Sequence, residues 1–134
     1  MSRPRSQATT ALDLPAFLKN TVIDLVRSDE RDLSARQLGV FLICGTFPGP
    51  QTVRGLAHHL NVAKPAITRA TDRLVTAGLV ERRTDPSDRR SVHIVPTSAG
   101  DAYLRQLSSL LRKAAAMTEP RIVPQPERHA RRRA

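Results

Sequence analysis

Residues 52–97 read TVRGLAHHLNVAKPAITRATDRLVTAGLVERRTDPSDRRSVHIVPT, and the order of apolar residues and breakers within them decides the fold. Thr52 can cap a helix, its hydroxyl accepting a first-turn amide. Val53, Leu56, Ala57 and Leu60 then follow at helical spacing and define one apolar face. Asn61 tolerates the left-handed backbone of a sharp turn, and Val62 can plug the gap between two helices. A second helix is expected from Lys64, because Pro65 is tolerated only in a first turn, where its missing N–H costs nothing.

Along this second helix Ile67, Ala70, Leu74 and Ala77 should face inward. The opposite face carries Lys64, Thr68, Arg69, Asp72 and Arg73. Lys and Arg can hydrogen-bond guanine O6 and N7, and Thr can meet a base edge or a thymine methyl, so such a face suits a major groove. The competing reading is an ordinary amphipathic helix with a solvated basic side. Gly78 closes the helix as a left-handed residue, and the run from Leu79 to Arg83 favours a strand. Thr84 to Asp88 has turn composition. Val92 and Ile94 then alternate with polar neighbours in a return strand. Arg89 and Arg90 fall at the hairpin tip, a placement suited to the negative potential of a narrow minor groove.

Helix, turn, Pro-bearing helix, Asp72-Arg73-Leu74, Gly78-Leu79-Val80, Asp85 to Ser91 and the Thr97-Ser98-Ala99-Gly100 that follows together resemble the MarR family of winged-helix transcription factors. The resemblance covers roughly residues 12–117, and its most specific part is the wing string ending in Asp-Arg-Arg-Ser. It implies that Lys64, Pro65, Ala66, Thr68 and Arg69 meet base edges, with Arg73 beside them on the same face. It also implies that one of Arg89 and Arg90 enters the minor groove, without saying which. Asp72 would partner a wing arginine and, with Asp88, support the wing. The family dimerises through its terminal helices and reads two half-sites.

Composition bounds the rest. A chain of 134 residues builds one compact core. Its 22 Lys and Arg against 12 Asp and Glu leave a net charge of +10, which favours a polyanionic partner. Nucleic acid leads over anionic membrane, because the longest nearly apolar run, 39–47, is far shorter than the roughly 18 residues a span needs. With no cationic start and apolar signal core, a cytoplasmic protein is the default. The single cysteine, Cys44, rules out an internal disulfide framework. Three phenylalanines and one tyrosine, each at an expected core position, leave no stacking platform for single strands, so duplex DNA is the expected ligand.

The flanks read as support. Residues 1–10 are expected to be a flexible basic arm, 11–118 the winged helix-turn-helix domain with its flanking helices, and 119–134 a basic, proline-containing, disordered tail. Asp13 can cap a helix with Pro15 in its first turn, running to about Arg27 and apolar on more than one face, Leu14, Phe17 and Leu18 included. A second helix capped by Ser34 should turn Leu38, Phe41, Leu42 and Gly45 inward, with Cys44 close to that face and buried. The last helix, from about Ala99 to Thr118, carries Tyr103, Leu107, Leu110, Ala114 and Met117 in a heptad seam widened by Leu104 and Leu111. Joined to the over-apolar first helix, that seam points to a homodimer. Leu14, Phe17, Leu18, Tyr103, Leu107, Leu110, Leu111 and Ala114 are its expected contacts. Pro120, Pro124 and Pro126 stop any further helix, so the extra C-terminal helix common in the family is expected to be missing. That departure leaves open the full interface and the small-molecule pocket that usually adjoins it.

His58 and His59 are adjacent rather than four apart, so they point about 100° from each other and make a poor metal pair. They are read as solvated or phosphate-touching, with His93 on the wing likewise. No Gly-rich phosphate loop, metal-ligand cluster or activated nucleophile stands out, and neither a cofactor nor an enzymatic activity is expected. The resulting expectation is a mainly α fold with a small β-hairpin wing, a winged helix-turn-helix with terminal dimerisation helices. It would bind double-stranded DNA as a dimeric repressor by covering a promoter. A non-specific architectural DNA binder and a winged-helix protein-interaction module are the alternatives.

Overall fold

The computed structural model describes residues 9–28 and 31–124. Its elements run β1 (Thr9–Leu12), α1 (Leu14–Ser28), α2 (Ala35–Thr46), α3 (Val53–Leu60), α4 (Lys64–Thr76), β2 (Val80–Thr84), β3 (Val92–Pro96), α5 (Ser98–Met117) and β4 (Pro120–Val123). The mainly helical fold with one hairpin wing is as expected from the sequence. The chain divides into two compact units, one made of Ser28–Ser109 and the other of the segments up to Arg27 and from Leu110. Among the described residues no helix is long and apolar enough to cross a membrane.

In the unit 28–109 each helix starts and stops on local chemistry. Ser34 and Gln37 form a reciprocal capping box at the start of α2. Thr52 Oγ1 accepts the Gly55 amide at 3.0 Å and opens α3. Asn61 ends that helix in the left-handed region, φ 53° and ψ 47°, the conformation its short polar side chain tolerates. α4 then packs on α2 and α3. Its inward face is Ile67, Ala70, Thr71 and Leu74, all buried, and burying Ile67 and Leu74 stabilises the fold by about 1.5–3 kcal/mol each. Thr71 was absent from the expected inward set, and so was Val40, which takes the core position beside Phe41 on α2. Phe41 in turn meets the Tyr103 ring of α5, with centroids 5.5 Å apart.

Gly78 adopts a φ of 75° and turns the chain out of α4 into the wing, as a residue without a Cβ can. The Leu79 amide bonds Leu74 O, and the Thr97 amide bonds Leu79 O, so the segment entering the wing is gripped by the segment leaving it. Thr97 Oγ1 donates to Gly78 O and accepts the Gly100 amide at 3.0 Å. A Cβ on Gly100 would lie 2.1 Å from Leu79 O, so only glycine allows this approach. The Thr-Ser-Ala-Gly run thus joins wing to α5. β2 and β3 pair antiparallel with Arg82 opposite Ile94, and Gln51 adds an isolated bridge to Ile94.

Cys44 is buried, and desolvation pushes its thiol up to about 11, which fits the inert structural role expected of it. Phe47 departs from expectation. It is 49% exposed rather than part of the core, and its ring meets His59 edge-on at 4.8 Å. Pro48, Gly49 and Pro50 carry the chain away from α2 just there, and the ring stays half open to solvent.

In the other unit, Asp13 caps α1 as expected, its Oδ1 accepting the Ala16 amide. Asn20 Nδ2 donates to Thr118 Oγ1 at 3.0 Å, tying α1 to the end of α5. β1 pairs antiparallel with β4, Thr9 opposite Val123 and Leu12 opposite Pro120. This ribbon falls partly on residues expected to be arm (Thr9, Thr10) and tail (120–123). Thr9, Thr10, Ile122 and Val123 are β-favouring, and once the ends of two neighbouring elements meet, pairing satisfies their backbone groups. The rest of the expected arm and tail, 1–8 and 125–134, lies outside the described residues. Among the described residues the element that follows α5 is the strand β4, which begins at Pro120.

The heptad seam of α5 also divides. Tyr103, Leu107 and Ala114, expected to contact a second copy, are buried within the chain itself, and Leu110 is half-buried. A period near 3.5 fits packing inside a chain as well as packing between chains. The apolar surface left open in this unit includes Leu14, Leu18, Val22 and Val26 along α1, spaced by four, Leu111 and Met117 on α5, and Ile122 of the ribbon. Phe17 is half-buried.

Candidate nucleic-acid interface

The exposed face of α4 presents the residues singled out in the sequence. Lys64, Pro65, Thr68, Arg69 and Arg73 are exposed, while Ala66 is half-buried. Ala63, at the N-cap, makes no side-chain bond. Its carbonyl accepts the Ala66 and Ile67 amides, and Pro65 has none, so the Lys64 amide is left at the helix mouth. The face is thus a row of donors on a rigid element whose inner side is fixed in the core.

The wing is stiffened at its turn. Asp85 Oδ1 accepts both the Ser87 amide, 2.9 Å, and the Ser87 hydroxyl, 2.8 Å. Those two bonds, with a smaller contribution from His93 at 3.8 Å, hold its carboxyl below the usual range. Asp88 closes the tip. Its Oδ1 accepts the Arg90 amide at 3.0 Å and its carbonyl accepts the Ser91 amide. Arg89 and Arg90 both stand exposed there.

Asp72 of α4 pairs with Arg82 of β2, a salt bridge between helix and wing. The partner is thus a strand arginine and not one of the two at the tip. Side chains alternate along a strand, so Arg82 emerges on the side of buried Val80, just beyond the edge of the core, where Asp72 lies. Arg83, on the other side, bonds Glu81 at 2.7 Å. No role was expected for Arg82, nor for Arg54, which sits in the first turn of α3. The signal for Arg54 was its place two residues after the cap Thr52.

A three-helix core whose last helix exposes a basic face and feeds directly into a β-hairpin defines a winged helix-turn-helix. The MarR family model matches residues 33–92, which span α2, the helix pair and most of the wing. One relative is the uncharacterized HTH-type transcriptional regulator YcgE of Bacillus subtilis (strain 168). It is 39% identical over 59 residues, 44% of this chain and 38% of that protein. The chain therefore spans about two fifths of its length. The crystal structure of RV1404 from Mycobacterium tuberculosis is similar with a TM-score of 0.66 at 28% identity, covering 74% of this chain and 66% of that one. The repressor CouR, known from Rhodococcus jostii RHA1, is similar in its complex with a 23-mer DNA duplex. The TM-score is 0.61 at 25% identity over 77% of this chain and 69% of that chain.

Proposed function

We propose that the protein is a sequence-specific, double-stranded DNA-binding transcriptional regulator that acts as a homodimeric repressor by covering promoter DNA. The observation that carries this reading is the exposed row of Lys64, Thr68, Arg69 and Arg73 on α4 beside an arginine-tipped wing that meets that helix through the Asp72–Arg82 salt bridge. In this reading α4 enters a major groove, and Lys64, Thr68 and Arg69 meet base edges. Pro65 sets the entry angle, Ala66 admits close approach, and Arg73 adds a contact further along the helix. An arginine of the pair Arg89 and Arg90 enters the adjacent minor groove, with Asp88 holding the tip. Leu14, Leu18 and Leu111 contact the second copy, with half-buried Phe17 and Leu110 at the margin. Bound DNA in a complex with the similar repressor CouR supports the choice of duplex DNA as ligand. The place of action is a bacterial-type cytoplasm, on the nucleoid when bound.

Substitution separates the two kinds of contact. Arg69→Ala is expected to relax base preference at a cost of about 1–3 kcal/mol on the preferred duplex, with little loss on others. Arg89→Ala with Arg90→Ala is expected to weaken binding more evenly across sequences. Fluorescence anisotropy on preferred and scrambled duplexes reads both. If both variants bound DNA like the parent, the assignment of helix and wing would be wrong.

A further inference from the structure

Three cations from three different elements line one open cleft of about 420 Å³: Arg54 of α3, Lys64 of α4 and Arg90 of the wing tip. Thr52 and Ser91 add hydroxyls to its wall, and no acidic residue lines it. None of the three cations forms an ion pair with a described residue. The leading amides of α3 also open here. Thr52 takes up the Gly55 and Leu56 amides through its hydroxyl and carbonyl, and the amides of Val53 and Arg54 precede the first intrahelical bond. The Asp88 bond to its amide fixes the Arg90 backbone at the wing tip, and its side chain lines the cleft. Like charges gathered without a counter-charge repel one another, so a cleft of this kind is relieved by an anion.

We propose that this cleft seats one phosphodiester of the DNA backbone, with Arg54 as its dedicated cation. The inference rests on the reading of the protein as a duplex DNA binder. A major groove and the adjacent minor groove are separated by one sugar-phosphate strand. If α4 lies in the first and the wing in the second, that strand must cross the gap between the first turn of α4 and the wing tip, which is where the cleft opens. Lys64 and Arg90 then serve both their own groove and this phosphate. Arg54 has no other assignment, which makes it the clean probe.

The test is a salt titration of full-length protein on a preferred and a scrambled duplex, for the parent and for Arg54→Ala and Arg54→Lys. Arg54→Ala is expected to weaken both duplexes by the same factor, about fivefold to tenfold. It should also lower the slope of log K against log salt by about 0.9 for each cleft engaged. Arg54→Lys is expected to restore the slope. A duplex with one neutral methylphosphonate at a single position in each half-site should weaken the parent by that factor and Arg54→Ala no further. Arg54 is exposed, so thermal melting of both variants should match the parent. Specific binding by the parent with an unchanged slope in Arg54→Ala would overturn the cradle and leave the regulator reading standing. A parent that bound neither duplex would overturn both.

Discussion

Thr71 sits on the inner face of α4 with no exposed surface, and its Oγ1 finds no hydrogen-bond partner. An unsatisfied buried hydroxyl costs folding free energy, whereas a methyl of the same shape does not. Thr71→Val is therefore expected to raise stability by about 1 kcal/mol, read as a higher urea midpoint at unchanged slope, with DNA affinity retained. A fall in stability would show that the hydroxyl is bonded in solution. At this scale the sequence was legible wherever a residue acts through its own backbone. The caps at Asp13, Ser34 and Thr52, the left-handed Asn61 and Gly78, and Pro65 in a first turn all stand where local chemistry put them. It was illegible where a residue's fate depends on what lies across from it. Phe47 reads as core by type yet meets His59 edge-on and stays half exposed, while Thr71 reads as polar and is enclosed by its position on the helix.

Asp72 of α4 reaches Arg82 of β2 and adds a tie between helix and wing. Both side chains are well exposed, 59% and 36%, so the pair contributes under about 1 kcal/mol to folding. Its effect should appear in DNA binding, where the wing must keep a set distance from α4. Asp72→Ala and Arg82→Ala are each expected to weaken DNA binding several-fold with little change in melting temperature. The double variant should lose no more than either single one, the signature of one shared interaction. Additive losses would mean that Arg82 touches DNA itself. The sequence pointed to a wing arginine as partner for Asp72, and the arginines at the tip were the conspicuous ones. Strand alternation instead sets Arg82 toward the helix, a fact that depends on the register of Val80 and Ile94.

On the scale of the whole molecule, the unit of residues up to Arg27 and from Leu110 leaves a row of large apolar side chains exposed among its described residues. Leu14, Leu18 and Val26 are 66%, 63% and 75% exposed, and Ile122 of the ribbon is 65% exposed. Such a surface is expected to close against a second copy. Leu18→Asp should shift sedimentation equilibrium from dimer to monomer at micromolar concentration, with helical content by circular dichroism unchanged. A parent that sediments as a monomer would contradict this. The heptad seam of α5 correctly placed an apolar helix here but not the division of its residues. Tyr103, Leu107 and Ala114 face inward, and the period alone carries no information on which neighbour, internal or external, fills it.

The most direct test of the central claim compares two labelled duplexes of equal length by fluorescence anisotropy at physiological salt, one from upstream of the protein's own gene and one scrambled. The account predicts a preference of about a thousandfold or more for the native duplex, typical of specific readers. Equal and steeply salt-sensitive binding to both would contradict local sequence-specific regulation in favour of an architectural role. Binding to neither would contradict a DNA-binding function altogether and leave a winged helix that docks protein.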